Sequence, residues 1–134
     1  IVNEFDEIDG YNKKLLIGAT TLSINRIVSE IHHLGGIAIA SHVDRETYGI
    51  IGQLGFIPPD LEIDALEISR TTAYDEAAKR VPQISAYPVV SSSDAHTPTD
   101  IGAVFSTFMI AAPTVGELRK AFRKENGRSV LPGK

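Results

Sequence analysis

Two histidines and one aspartate stand where short apolar segments end. Asp94 and His96 are two positions apart at the end of Ser91-Ser92-Ser93-Asp94-Ala95-His96, and His42 directly follows the apolar run 37–41. An extended backbone projects residues two apart to the same side, so Asp94 and His96 can chelate one ion or bridge two. A carboxylate combined with imidazoles suits Zn, Mn or Fe. These three side chains are the candidate metal ligands.

A divalent ion in such a site leaves coordination positions open for water and for a phosphoryl oxygen. It lowers the pKa of bound water towards about 7 and stabilises charge on the transferring phosphoryl group. The pattern therefore indicates hydrolysis, with no catalytic residue needed beyond the metal ligands. From the residues alone an alternative stays open: Asp94 caps a turn and His96 packs on a loop, in an α/β binding protein that holds no metal.

Three further polar residues lie near the same segment ends. Arg45 and Arg70 are candidates for binding a substrate phosphate through charge-assisted hydrogen bonds. Glu67 is a candidate for orienting the imidazole of a metal ligand by a hydrogen bond, without binding the metal itself. The alternatives are that each arginine is a solvated loop residue and that Glu67 only satisfies polar neighbours. His32 and His33 fall in the last turn of a predicted helix, where we expect surface side chains.

The elements that must position these residues alternate between helix and strand. Helical spacing and caps predict helices over 24–34, 48–54, 72–80 and from Val115 to about Lys124, the last opened by a capping box of Thr114 and Glu117. Short apolar runs predict strands over 37–41, 65–69, 89–92 and 106–111. This order predicts an α/β fold with a largely parallel sheet. Alternation in the first strand would turn Ala38 and Ala40 inward with His42, and the isoleucines towards the helices.

Composition bounds the class of protein. A chain of 134 residues with 43% hydrophobic residues fits one globular domain, and a net charge of -4 without a basic stripe does not indicate a nucleic-acid partner, although it permits one. No cysteine is present, so disulfides and thiolate metal sites are excluded and a cytoplasmic protein is expected. No apolar run reaches the roughly 20 residues that span a bilayer, so no membrane partner is expected.

Several motifs together resemble the PHP (polymerase and histidinol phosphatase) family. The run 31–42 is similar to its pattern of helix, Gly-Gly, apolar strand and metal-binding His; 64–68 is similar to its Asp-x-Leu-Glu-hydrophobic strand; 93–96 is similar to its closing Ser-Asp-x-His motif. Ile101-Gly102 also matches. The resemblance extends from about Ser23 to Val130.

The resemblance implies the C-terminal part of a distorted (β/α)7 barrel that hydrolyses phosphomonoesters or phosphodiesters with two or three divalent ions. It carries ligand roles over to His42, Asp94 and His96 only. The family's opening His-x-His motif is absent from these 134 residues. We therefore expect a fragment, with an irregular lead-in over 1–22 and βα units over 23–130, that is active only with an N-terminal half.

The expected substrate is a phosphorylated small molecule or a nucleotide. Self-association, or association with the N-terminal half, would complete the barrel and cover its open sheet edges. The alternative function is a non-catalytic PHP-like interaction or regulatory module in which the site has decayed.

Overall fold

A computed structural model describes residues 1–14 and 18–133, so positions 15–17 of the expected lead-in lie outside the described residues. Helices α1 (Ile24–His33), α2 (Ile50–Leu54) and α3 (Tyr74–Arg80) alternate with strands β1 (Ile39–Ala40), β2 (Ala65–Ile68) and β3 (Val89–Ser91). Strand β4 (Thr107–Met109), helix α4 (Val115–Phe122) and strand β5 (Ser129–Leu131) follow. Short 3-10 helices span Pro82–Ala86, Pro98–Asp100 and Glu125–Gly127. Within the described ranges, no helix has the length and apolarity needed to cross a bilayer.

The strands form two sheets. Strands β1, β2 and β3 pair in parallel in that order, with Ile39 opposite Ala65 and Leu66 opposite Val89. Strands β4 and β5 form a separate antiparallel pair. The predicted α/β class and parallel sheet are confirmed, whereas β5 and the antiparallel pair are not predicted by the sequence pattern. A seven-stranded barrel stays a prediction, since the main sheet of the described residues has three strands.

The two faces of the parallel sheet pack against different elements. On one face Ala38, Leu66, Ile68 and Val89 join a core with residues of α1, α3 and the connecting segments, including Val28, Ile57, Leu61, Ala77 and Ile84. On the other face Ala65 and Val90 pack with Phe122, Phe108 and Val130. The predicted facing of β1 is therefore wrong: Ala38 and Ala40 lie on the face that α1 covers. Their small side chains let that helix pack closely on the sheet, while Ile39 is 38% exposed.

Helix α1 begins and ends where its caps require. The Ser23 hydroxyl accepts a hydrogen bond from the Arg26 amide at 3.3 Å. After the last turn the amides of Gly35 and Gly36 donate to the carbonyls of His32 and Ile31, with Gly35 at φ +81°, which is a Schellman ending. His32 departs from the surface position expected for it: its Nε2 is 2.8 Å from Asp64 Oδ2, and its side chain is 27% exposed.

Glu117 connects helix α4 with the residue that precedes strand β5. The predicted N-cap is present, since Thr114 Oγ1 accepts from the Glu117 amide at 3.3 Å. The carboxylate of Glu117 does not complete the predicted capping box. It accepts instead from Arg128 Nε at 2.8 Å, Lys120 Nζ at 2.7 Å and the Ala111 amide at 2.9 Å. The hydrogen bonds from Arg128, Lys120 and Ala111 lower the pKa of Glu117 to about 2.

Helix α2 packs so closely on the preceding backbone that one position requires glycine. A Cβ on Gly52 would lie 2.0 Å from the carbonyl oxygen of Glu46, whereas a Cβ on Gly116 of α4 has no atom within 4 Å. We expect Gly52→Ala to lower the free energy of unfolding by about 1–3 kcal/mol, because the chain must shift to admit the methyl group. The control Gly116→Ala should raise it by about 0.5–1 kcal/mol. Chemical denaturation measures both, and equal effects would contradict the close approach.

The Glu117 cluster predicts a defined pH dependence of stability. Folding lowers the pKa of Glu117 from 4.5 to about 2, so its ionised form stabilises the fold fully above pH 4.5, and this contribution is lost as the pH falls towards 2. Glu117→Gln should lower Tm at pH 7, and the difference from wild type should shrink between pH 4.5 and pH 2. The control is Glu30→Gln, since the carboxylate of Glu30 pairs with the exposed Arg26 at 2.6 Å and should matter little. Thermal melts across this range measure both, and a constant difference for Glu117→Gln would refute the assignment.

Candidate metal centre

His42 lies in a turn directly after β1. Its φ of +30° is rare for a residue with a side chain, and its amide donates to Glu67 Oε2 at 3.3 Å. Because the backbone turns at His42, its side chain no longer follows the alternation of the strand. The Nδ1 atom of His42 is buried and finds no hydrogen-bond partner among the described residues. A buried polar nitrogen without a partner is costly unless something binds it.

Asp94 follows β3 and is ion-paired. Its φ is +46°, and its Oδ2 is 2.8 Å from Arg45 Nη2. The hydrogen bond from Arg45 lowers the pKa of Asp94 below its ordinary 3.8, with smaller contributions in the same direction from His96 and His42, while partial burial acts the other way. Asp94 is therefore ionised at neutral pH, and both predicted partner imidazoles lie near enough to influence its charge.

His96 is exposed and oriented by its neighbours. Its Nδ1 is 2.8 Å from the carbonyl oxygen of Asp94. A carbonyl oxygen only accepts, so Nδ1 carries the proton and the neutral ring leaves the lone pair of Nε2 available to a ligand. The His96 amide also donates to Asp100 Oδ2 at 3.4 Å.

Glu67 lies between the segments that carry the predicted ligands. One carboxylate oxygen accepts from the His42 amide, and the other accepts from the Ser92 hydroxyl. Its contact with His42 is thus to the backbone and not to the imidazole for which it was predicted. Glu67 connects the loop after β1 with the end of β3.

Arg70 is held by an acidic partner in the loop after β3. Its Nη1 is 3.0 Å from Asp100 Oδ1 and also donates to the Ser93 carbonyl at 3.4 Å. Asp100 accepts in addition from the hydroxyl and the amide of Thr97, at 2.9 Å and 3.2 Å. Arg70 and Thr97, in that order, lower the pKa of Asp100 to about 2.

Sequence reasoning missed two carboxylates at this edge. Asp44 is buried, and its oxygens accept from the amide of Ser69 at 2.7 Å and from the Ser69 hydroxyl. Burial raises the pKa of Asp44, but the hydrogen bonds from Ser69, together with weaker ones from Thr72 and the Asp44 backbone, lower it overall. No local pattern could have identified Asp44, because its partner lies 25 residues away. Asp100 had a local signal, since Thr97 and Asp100 have the spacing of a capping box, which the structure forms.

The strand ends border an open cleft of about 700 Å³. Its polar side contains Glu67, Ser92, Ser93 and Asp94, and its apolar side contains Ile39, Val90, Ile101, Val104, Phe105 and Phe108. Arg45, Asp94 and the two imidazoles lie at this edge, and Arg70 is tied to it through Asp100. In the part of the chain that the structure describes, no three His, Asp or Glu side chains are arranged to hold one ion.

The donor chemistry nevertheless fits a divalent cation. His42 offers a buried nitrogen without a partner, Asp94 is ionised, and His96 presents a lone pair on Nε2. Imidazole nitrogen and carboxylate oxygen are the ligands that Zn, Mn and Fe accept. The ligand roles of His42, Asp94 and His96 stay a prediction.

Comparison with known proteins supports the fold. The chain is similar to PfuEndoQ, a lesion-specific endonuclease from Pyrococcus furiosus, with TM-score 0.65 and 23% identity over 84% of this chain and 29% of that one. It is also similar to endonuclease Q in complex with a 27-mer duplex substrate with an abasic lesion at the active site. The TM-score is again 0.65, with 22% identity over 84% of this chain and 29% of that one. The chain thus spans less than a third of these proteins. No curated protein matches it.

A family model described as PHP-associated matches residues 75–126. The matched segment contains Asp94, His96 and Asp100 but not His42. The predicted resemblance to the PHP family is thereby confirmed, over the 75–126 segment that carries the PHP-associated pattern.

Proposed function

We propose that the protein is a metal-dependent phosphoesterase in which His42, Asp94 and His96 provide part of the metal site. The observation that carries this proposal is the buried Nδ1 of His42, which finds no hydrogen-bond partner at the same sheet edge as the ionised Asp94. Left-handed backbone at both residues supports it, because strained conformations of residues with side chains cluster at functional sites.

Each residue at the edge has a role in this proposal. A bound divalent ion supplies an activated water and charge stabilisation for phosphoryl transfer. Arg45 and Arg70 hold substrate phosphate oxygens by charge-assisted hydrogen bonds. Glu67 positions the two ligand-bearing segments, since it accepts from the His42 amide and from Ser92.

The site needs a further part to complete it. A compact monomer of 14.5 kDa exposes about 6,900 Å², whereas this chain exposes 9556 Å². Exposed large apolar side chains account for part of this excess area. They include Ile39 and Phe105 beside the cleft, and Phe5 and Tyr11 in the lead-in. We propose that an N-terminal half of the same protein, or a second copy of the chain, covers this face and brings the missing ligands.

A non-catalytic interaction module is the alternative. It is favoured by the lack of a three-ligand group among residues 1–14 and 18–133. The sequence upstream of Ile1 in the gene separates the two functions: a His-x-His motif there supports the hydrolase, and its absence supports the module.

Small phosphorylated molecules or nucleotides are the proposed substrates, and DNA is the second candidate. The net charge of -4 and the lack of a basic stripe favour the small substrates. The two endonuclease structures of similar fold favour DNA.

Loss of a ligand should reduce metal binding in the complete gene product. We expect His42→Ala and Asp94→Ala each to weaken Mn²⁺ binding more than about 100-fold and to abolish phosphoesterase activity, because removing even an outer hydrogen-bond partner costs about 10–100-fold. His33→Ala is the matched control, since His33 is exposed on α1. Equilibrium dialysis and phosphate release are the measurements. Wild-type metal content in both ligand variants would end the proposal.

Substrate class can be tested with three probes. We expect an aryl phosphomonoester or diester to be hydrolysed faster than duplex DNA with an abasic site, with rates that change little with salt. If DNA is the substrate, cleavage should fall steeply between about 50 and 200 mM salt, because phosphate contacts release counterions. Preferred cleavage of the abasic duplex with that salt dependence would replace the small-molecule assignment by the DNA one.

A further inference from the structure

One carboxylate at the sheet edge has two competing uses. Asp94 Oδ2 is bound by Arg45 Nη2 at 2.8 Å, and the same carboxylate is a proposed metal ligand. The side chains of Arg45 and Asp94 are 38% and 30% exposed, so the pair borders solvent. A cation that binds Asp94 therefore meets a cation already there.

We propose that Arg45 and the metal ion compete for Asp94, so that Arg45 becomes available to a substrate phosphate only after the metal has displaced it. This inference rests on the proposed function and adds an order of binding to it. A guanidinium next to a divalent ion on one carboxylate is repelled by that ion. Its N–H donors then need another anion, and a phosphate matches their geometry.

Competition has a reciprocal consequence. The free energy by which the Arg45–Asp94 ion pair weakens metal binding equals the free energy by which bound metal weakens that ion pair. Metal binding should therefore increase the affinity for phosphate through Arg45, apart from any direct contact between phosphate and metal. Replacing Asp94 should release Arg45 without metal.

Arg70 provides the matched comparison. It carries the same charge at the same edge, and its side chain is 37% exposed against 38% for Arg45. Its partner is Asp100, which also accepts from the hydroxyl and the amide of Thr97 and is not a proposed ligand. Removing Arg70 changes the net charge of the edge without freeing Asp94.

The experiment measures Mn²⁺ affinity by calorimetry in the complete gene product, with Arg45→Ala, Arg45→Lys and Arg70→Ala. A partly exposed ion pair is expected to lower metal affinity about two- to fivefold. Arg45→Ala should therefore bind Mn²⁺ more tightly than wild type by that factor. Arg70→Ala should bind Mn²⁺ distinctly less tightly than Arg45→Ala does. The Mn²⁺ affinity of Arg45→Lys should stay near that of wild type. Circular dichroism establishes that each variant is folded.

A second titration uses inorganic phosphate without metal. Asp94→Asn should bind phosphate more tightly than wild type, and the double variant Asp94→Asn, Arg45→Ala should lose this gain. Equal tightening of Mn²⁺ binding by Arg45→Ala and Arg70→Ala, or no gain of phosphate binding in Asp94→Asn, overturns the competition and leaves the metal site standing. Failure of every form to bind Mn²⁺ overturns the metal site and the competition with it.

Discussion

Parallel pairing through the central strand β2 is the constraint on which the candidate site depends. Because β1 and β3 both run parallel to β2, the segments that follow all three strands leave the sheet at the same edge. Glu67, on β2 itself, accepts a hydrogen bond from each side, from the His42 amide and from the Ser92 hydroxyl. His42 and Ser92, each 25 positions from Glu67 in the sequence, are thus brought to one carboxylate. An antiparallel neighbour on either side would send one of the predicted ligands to the opposite edge.

Polar contacts join the three segments after these strands into a closed set. Asp44 of the first segment binds Ser69 of the second, Arg70 of the second binds Asp100 of the third, and Asp94 of the third binds Arg45 of the first. Each segment is thereby held by both others. Loops without regular structure must satisfy their polar groups with side chains or water, and carboxylates that accept two or more hydrogen bonds do this economically. The same carboxylates keep the edge negatively charged, which suits a cation.

Features that depend on residues close together in the sequence could be predicted, and features that depend on distant residues could not. The caps of α1 and the apolar runs of β1 to β3 are local, and they predicted both the α/β class and the edge where Asp94 and His96 lie. The predicted facing of β1 was wrong because it placed Ala38 and Ala40 on the side of His42. The turn at His42, with φ +30°, takes that side chain out of the alternation of the strand. The predicted capping box of α4 is incomplete because the Glu117 carboxylate accepts from Arg128 and Lys120 instead. Asp44 and its partner Ser69 are 25 residues apart, and no spacing rule connects them.

The sheet edge and the sheet face beside it differ in whether contacts within this chain cover their side chains. The edge is held by contacts among its own three segments, including the two hydrogen bonds that Glu67 accepts and the Arg45–Asp94 ion pair. The face beside them is apolar at Ile39 and Phe105, and exposed apolar area is unfavourable in water. In the proposed function, further elements pack on this apolar face and meet the predicted ligands from the other side. In the proposed function, the contacts that hold the edge and the face that further elements would cover are therefore different surfaces of the protein.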